Sequence, residues 1–379
     1  MAVRKRSWTT PRGLRKEAWI VDYFDATGTR RIETFARKKD ADARSAEIAV
    51  DIRRGVHTAA RTSPSVAEAA EDWIAYVELE GRERATVKGY REHVDLHINA
   101  RLGRVKLAAL TTPRINAFRD ELLVTGSRLL ARKVLTSLKS LLKDAQRRGN
   151  VAQNVALGVS IGVDQRGRRK LQIGVDIPTR DEVRLILGAV KPRWRAILIT
   201  AVFTGLRASE LRGLRWDDVD LKRGELHVRQ RADRYNVIGK PKSRAGSRTI
   251  PLGPMVVNTL RESKLRCASQ SGLVFPTRSA RPFHHQTLIR CALIPAQIAA
   301  GVVSVDGGAK YTGLHSLRHF YASWCINRRA DGGLELPAKM VQERLGHASI
   351  VMTLDTYGHL FPRGDDGAEL AAAERTLLG

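Results

Sequence analysis

The segment Thr204-Gly-Leu-Arg207-Ala-Ser-Glu-Leu211 places an arginine directly after a glycine turn, at the start of a predicted helix. We expect the Arg207 guanidinium to point outward beside the free backbone N–H groups of that helix end, which together suit an anion. A lone arginine in such a place is more often an ordinary surface residue. The segment therefore indicates a functional site only in combination with other motifs of the chain.

Three later segments carry polar side chains of complementary chemistry. They are His315-Ser-Leu-Arg-His319, Leu345-Gly-His347 and Thr353-Leu-Asp-Thr-Tyr357-Gly-His-Leu-Phe361. Because His315 and Arg318 are three residues apart on a predicted helix, they face the same direction and can converge on one phosphate. Attack on a phosphodiester needs fixed cations, a nucleophile and a proton donor. Arginines, histidines, a tyrosine and the hairpin lysines Lys240 and Lys242 supply each of these.

The composition favours a polyanionic partner. The 379 residues contain 66 Lys and Arg against 39 Asp and Glu, a formal net charge of +27. Hydrophobic residues make up 43% of the chain, which is enough for a core in each of several domains and excludes a disordered basic tail. The positive charge favours nucleic acid as the partner. Two alternatives are that the charge serves only solubility or that it binds an anionic membrane.

Cysteine usage and hydropathy indicate an intracellular protein. Cys267, Cys291 and Cys325 are too few and too scattered for a disulfide framework, and their spacing fits no metal site. The basic N-terminus lacks the apolar stretch of a secretory signal, and no run of about 18 apolar residues suggests a membrane span. We expect a bacterial cytoplasmic protein associated with the nucleoid.

The pattern of residues divides the chain into three domains and a linker. Residues 1–60 combine a basic arm without acids, two predicted strands and a helix, and residues 64–158 have the periodicity of four helices. A basic linker covers 159–175. Residues 176–379 are mainly helical with one strand pair, begin with a Thr179…Glu182 capping box and end in a predicted helix near 368–377.

Taken together, the motifs resemble those of the tyrosine recombinase, or phage integrase, family. The resemblance is carried by TGLRxSEL at 204–211, HSLRH at 315–319, LGH at 345–347 and TLDTYGHLF at 353–361, all in the last domain. It implies a mainly α catalytic domain with a small β-sheet or hairpin. It also implies an all-α, four-helix core-binding domain before it and a small α+β, arm-type DNA-binding domain at the N-terminus.

The resemblance also assigns roles. Arg207 and Arg318 would hold the scissile phosphate. His315 would hydrogen-bond it and assist proton transfer, and His347 would add a further hydrogen bond. Tyr357 would be the nucleophile, its phenolate favoured by the cations around the phosphate. Lys242 would protonate the leaving 5′ oxygen, with Lys240 as the alternative. Glu210 and His319 would support the site by orienting the arginines or by packing. No metal or cofactor is expected. Further residues are candidates for DNA contact: Arg4, Lys5, Arg6, Arg166, Arg168, Arg169, Lys170, Lys240 and Arg244.

A site-specific recombinase would act on double-stranded DNA through a 3′-phosphotyrosyl intermediate, without ATP, as a homotetramer on its recombination sites. It would integrate or excise a phage or mobile element, with a directionality factor or a host DNA-bending protein as further partners. Two rival functions remain open from sequence. They are a type IB topoisomerase, which would relax supercoiled DNA as a monomer, and an architectural DNA-binding protein that has lost catalysis.

Overall fold

The computed structural model describes residues 1–11, 13–24, 28–53, 63–162, 169–266, 272–362 and 366–379. The chain divides into two compact units, residues 1–166 and 167–379. The predicted N-terminal and helical domains both lie in the first unit, so a boundary near residue 60 stays a prediction. The candidate DNA contacts Arg166 and Arg168, as well as Cys267, lie outside the described residues.

The N-terminal part of the first unit is a three-stranded antiparallel sheet packed against one helix. Its elements are β1 (Ala2–Thr9), β2 (Arg15–Phe24), β3 (Arg30–Phe35) and α1 (Lys38–Arg53). The prediction of a basic arm before two strands was wrong here, because residues 2–9 pair with β2 along their whole length. Acids on β2 compensate their charge, since Arg4 binds Asp22 at 2.8 Å and Lys5 binds Glu17 at 2.6 Å.

The remainder of the first unit is helical, as its periodicity predicts. Its helices are α2 (Val66–Leu79), α3 (Arg84–His93), α4 (Asn99–Leu102), α5 (Thr112–Thr125) and α6 (Arg128–Arg147). A π-helical turn, Val94–Ile98, joins α3 to α4, so the described residues form four helical segments. Trp73, Phe118 and Leu138 are almost fully buried between them. This core is distinct from that of the sheet.

The second unit is mainly α-helical. Its helices are α7 (Arg180–Ala189), α8 (Pro192–Thr204), α9 (Ala208–Arg212), α10 (Pro254–Arg266), α11 (His285–Leu288), α12 (Ile294–Ala299), α13 (His315–Ile326), α14 (Ala338–Leu345), α15 (Ile350–Tyr357) and α16 (Asp366–Leu378). The predicted capping box at the start of α7 is confirmed, with Thr179 and Glu182 exchanging backbone and side-chain hydrogen bonds. The predicted C-terminal helix is confirmed as α16. No helix among the described residues is long and apolar enough to cross a bilayer.

Two small antiparallel sheets interrupt the helices of the second unit. Their strands are β4 (Val219–Asp220), β5 (Glu225–Val228), β6 (Arg231–Ala232), β7 (Ile238–Gly239) and β8 (Arg248–Pro251). The predicted strand pair is confirmed as β5 and β8, with Val228 opposite Arg248. Strand β4 extends this pair to three strands, while β6 and β7 form a separate ribbon. The sheet brings Arg248 to the edge that meets the end of α14.

Candidate active site

Two glycines in left-handed conformation shape the backbone of the site. Gly205 ends α8 with φ of 60°, and Gly346 ends α14 with φ of 63°. A Cβ atom on Gly205 would overlap the Tyr321 ring, and one on Gly346 would lie 2.9 Å from the Ala245 carbonyl oxygen. Both turns thus require glycine. Each leaves a carbonyl group directed at an arginine.

Arg207 is held from two sides. Its guanidinium donates to Glu210 Oε1 at 2.8 Å and to the Gly346 carbonyl at 2.9 Å, and its backbone N–H donates to Glu210 Oε2 at 2.9 Å. The Arg207 side chain is 35% exposed. The expected outward direction of the guanidinium therefore holds only for the exposed part of the side chain. The Glu210 carboxylate caps α9 and also binds the Arg207 guanidinium. The exposed part of the guanidinium can still bind an anion.

Arg318 lies on α13 and is 2% exposed. Its two terminal nitrogens donate to the Gly205 carbonyl at 2.7 Å and to the Leu345 carbonyl at 2.6 Å. Burial, together with the nearby Arg207 and Arg248, lowers the pKa of Arg318 to about 9. The guanidinium therefore stays positive at neutral pH, and the two carbonyls fix its orientation.

Arg248 belongs to the same cluster and was missed by the sequence analysis. It forms a two-pronged ion pair with Glu210, at 2.9 Å and 3.2 Å, and donates from Nε to the Arg344 carbonyl at 2.7 Å. The side chains of Arg248 and Glu210 are only 6% and 3% exposed. One signal was available, because strand alternation places Arg248 on the same face as the buried Ile250. An arginine facing inward needs a buried acid.

Carbonyl groups at the end of α14 accept hydrogen bonds from all three arginines. Arg344, Leu345 and Gly346 each offer one carbonyl, to Arg248, Arg318 and Arg207 in that order. The end of a helix has carbonyl groups without intrahelical partners and carries partial negative charge, so cations are favoured there. This helix end therefore holds together three cations that would otherwise repel one another.

Tyr357, at the end of α15, is 1% exposed and lies near enough to Arg318 and Arg207 for their charges to act on it. Its hydroxyl lies 2.7 Å from His319 Nδ1. Burial raises the pKa of Tyr357 to about 12, although Arg318 and Arg207 act in the opposite direction. In the DNA-free protein, loss of hydration thus outweighs their attraction. That the cations around a bound phosphate favour the phenolate stays a prediction.

The other two histidines approach the tyrosine from different elements. His347, in the turn after α14, is buried, shares a hydrogen bond of 2.9 Å with Thr353 Oγ1 and has its ring parallel to that of Tyr357, 6.3 Å between centroids. Burial lowers the pKa of His347 to about 4. His315 is the first residue of α13. Its ring packs edge-on against the His319 ring, with 4.5 Å between the two centroids. Desolvation and the neighbouring Arg318 and Arg207 lower the pKa of His315 as well.

The structure thus brings Arg207, Glu210, Arg318, His319 and Tyr357 together, with His315 and His347 beside them. The hairpin lysines Lys240 and Lys242 are exposed on the segment between β7 and β8, as is Arg244 in the following 3₁₀ turn. Which of the two lysines acts as the general acid stays a prediction. The remaining candidates for DNA contact are exposed: Arg4, Lys5, Arg6, Arg169 and Lys170, of which Arg169 binds Asp176 at 2.8 Å.

Sequence comparison relates the chain to proteins of known families. Residues 178–363 match the phage integrase family. A XerC-like tyrosine recombinase of Caldanaerobacter subterraneus subsp. tengcongensis is 26% identical over 354 residues, which cover 86% of this chain and 87% of that protein. An integrase of Streptomyces ambofaciens is 26% identical over 366 residues, which cover 90% of this chain and 89% of that protein.

Solved structures share the fold of this chain. A Tn1549 transposon integrase in complex with circular intermediate DNA matches with a TM-score of 0.64 and 17% identity, covering 83% of this chain and 100% of that one. A lambda integrase tetramer bound to a Holliday junction matches with a TM-score of 0.55 and 18% identity, covering 90% and 95%. Residues 178–363 accordingly belong to the phage integrase family, and the chain is a tyrosine recombinase, an enzyme of site-specific recombination.

Proposed function

We propose that this chain cuts and rejoins the strands of double-stranded DNA at specific sites through a 3′-phosphotyrosyl intermediate, in the service of a phage or mobile element. The observation that carries the proposal is the buried Tyr357 hydroxyl, which lies beside His319 and within reach of the charges of Arg207 and Arg318. Both arginines are held by carbonyls at the end of α14. Cations fixed in advance are what a phosphoryl transition state requires.

In this mechanism Arg207 and Arg318 bind the non-bridging oxygens of the scissile phosphate, and His315 and His347 add hydrogen bonds. The Tyr357 oxygen attacks phosphorus, so that a bond to the 3′ phosphate forms while the bond to the 5′ oxygen breaks. Lys242, or alternatively Lys240, gives a proton to that leaving oxygen. The new link conserves the energy of the phosphodiester, and a second strand with a free 5′ hydroxyl reverses the step. Neither ATP nor a metal ion takes part.

The partners follow from the same reasoning. The net charge of +27 suits DNA, and the exposed basic residues of the chain would bind its phosphates. We propose a homotetramer on paired recombination sites, supported by the lambda integrase tetramer on a Holliday junction among the similar folds. Residues 1–60 would bind accessory arm sites, and residues 64–158 would bind the core site. A directionality factor or a host DNA-bending protein would complete the assembly in the cell.

A nicked suicide substrate tests the proposal. When cleavage releases a short strand from the nick, rejoining cannot occur and the covalent protein–DNA adduct accumulates on a denaturing gel. We expect adduct with the wild-type protein in the presence of EDTA, and none with Tyr357→Phe, which should still bind the same DNA in a gel-shift assay. Adduct formation by Tyr357→Phe, or a strict need for Mg²⁺, would overturn the proposal. Relaxation of supercoiled plasmid lacking a specific site would indicate a topoisomerase.

A further inference from the structure

The hydrogen bond between Tyr357 and His319 joins the expected nucleophile to a group that can take up its proton. The Tyr357 hydroxyl and His319 Nδ1 are 2.7 Å apart, and the two rings meet at 63° with 5.7 Å between centroids. The nucleophile must lose this proton when its oxygen bonds to phosphorus. Burial makes spontaneous loss difficult, since it raises the pKa of Tyr357 to about 12. A nearby acceptor would remove that obstacle.

The groups that face His319 keep its imidazole neutral. His315 and Arg318 face it from its own helix α13, Tyr357 from α15, and Asp176 from the segment before α7. Burial, followed by the charges of His315 and Arg318, lowers the pKa of His319 to about 4, against the smaller opposite effect of Asp176. At neutral pH one ring nitrogen therefore carries a proton and the other has a lone pair.

The neighbouring histidines are placed for other contacts. His347 directs Nδ1 to Thr353 Oγ1, and its ring lies parallel to the tyrosine ring. His315 is exposed at the first residue of α13, near enough to Arg318 and Arg207 for their charges to lower its pKa. His319, by contrast, has its nitrogen at hydrogen-bonding distance from the reacting oxygen itself.

We propose that His319 is the catalytic base that accepts the Tyr357 proton, an inference that rests on the proposed function of the site. As the bond between the Tyr357 oxygen and phosphorus forms, the phenolic proton passes to His319 Nδ1. The bond between phosphorus and the 5′ oxygen breaks, and the hairpin lysine protonates that oxygen. During rejoining the incoming 5′ hydroxyl returns a proton to the lysine, and His319 returns its proton to the tyrosine. The protein thus ends each cycle in its starting protonation state.

The test uses the full chain and His319→Asn. The asparagine oxygen lies close to the position of Nδ1, so it can accept the hydrogen bond but cannot take the proton. We expect cleavage of the suicide substrate to slow by about 10²- to 10⁴-fold, the range typical of a lost general base. His227→Asn is the matched control, because His227 Nδ1 also binds a hydroxyl, Thr249 Oγ1 at 2.9 Å, outside the site. It should cleave at the wild-type rate.

Two readouts separate proton transfer from a merely structural role. A substrate with sulfur in place of the 5′ bridging oxygen needs no acid for its leaving group. It should therefore rescue a variant of the hairpin lysine but leave His319→Asn slow. On that substrate the wild-type rate should be flat from pH 7 to 9, whereas His319→Asn should speed up roughly tenfold per pH unit, following the phenolate fraction of Tyr357. A flat profile for His319→Asn, or wild-type speed at pH 7, would overturn the inference.

A measurement on the unaltered protein avoids any folding defect of the variant. Nitrogen-15 NMR of histidine should show His319 in the tautomer with the proton on Nε2, with an Nδ1 signal that shifts in Tyr357→Phe. A proton on Nδ1 in the wild type would contradict the inference. Failure of the proposed function is recognised separately, because Tyr357→Phe would then still form adduct.

Discussion

At the scale of single residues, the arginines of the site depend on what holds them. Arg318 is oriented by the carbonyl of Gly205, a residue whose left-handed backbone packs its α-carbon against the Tyr321 ring. A side chain at this position would meet the aromatic ring and a strained backbone together. The identity of one glycine thus determines where a guanidinium points.

Gly205→Ala should lower the free energy of unfolding by about 2–4 kcal/mol, combining the overlap with Tyr321 and the cost of left-handed alanine. It should also slow cleavage, because the carbonyl that orients Arg318 must shift. The measurement is a urea titration followed by circular dichroism. Gly89→Ala serves as control, since Gly89 lies within helix α3 with open space around its α-carbon and should be neutral or slightly stabilising. Equal midpoints for the two variants would refute this reasoning.

At the scale of elements, the site is a junction of α9, β8, α13 and the end of α14. Glu210 on α9 joins Arg207 to Arg248 on β8, and the terminal carbonyls of α14 bind both of these arginines as well as Arg318. A shift of any one element would disturb the others. Because α15 follows α14 after a short turn, the position of the tyrosine is tied to that of the arginines.

Glu210→Gln should destabilise the protein by about 3 kcal/mol at pH 7, because it leaves two buried or half-buried guanidinium groups without their counter-charge. Burial tends to raise the pKa of Glu210, but Arg248 and then Arg207 outweigh it and hold the pKa below the ordinary 4.5. A lowered folded pKa stabilises the protein above pH 4.5, and this contribution is lost as the pH falls through the folded value.

The measurement for this prediction is the free energy of unfolding of wild type and Glu210→Gln between pH 7 and pH 3. The difference between the two proteins should narrow below pH 4.5. Glu374→Gln, on the exposed face of α16, should match the wild type throughout. A difference that stays constant with pH would show that the Glu210 charge is not what stabilises the cluster.

Local sequence signals predicted most elements, whereas pairings between distant segments were harder to foresee. The Thr179…Glu182 capping box and the β5–β8 pair follow from short-range rules. Strand β1 was missed because seven of its eight residues are exposed, which hides the alternation, and because the acids that pair with its basic residues lie on β2. Arg248 was missed for a similar reason, since its acid lies 38 residues away in sequence. The motifs gave the order of the site residues but not the contacts between them.

At the scale of the whole molecule, the chain combines a recombinase unit with a first unit of a different kind. The surplus of positive charge extends over both, which suits a protein that would follow DNA over more than one site. The N-terminal sheet exposes most of β1, including Arg6. An accessory DNA-binding role for this part therefore remains our proposal for the first sixty residues.

Removal of residues 1–60 should weaken binding to accessory arm sites by a larger factor than binding to the crossover site. The reason is that the remaining helical and catalytic parts would still carry the core-site contacts. Gel-shift titrations of both DNA fragments at one fixed salt concentration measure the two factors, since phosphate contacts depend steeply on salt. Equal losses on the two fragments would argue against an arm-binding domain.

The mechanism requires that one particular atom, the Tyr357 hydroxyl oxygen, becomes joined to DNA. Trypsin cleavage after Arg344 and Arg363 yields a peptide of residues 345–363 in which Tyr357 is the only tyrosine. The adduct from the suicide substrate, digested with nuclease and trypsin and fragmented in a mass spectrometer, should carry its nucleotide on that tyrosine through a 3′ phosphate. A nucleotide on any other residue, or one attached through a 5′ phosphate, would contradict the mechanism.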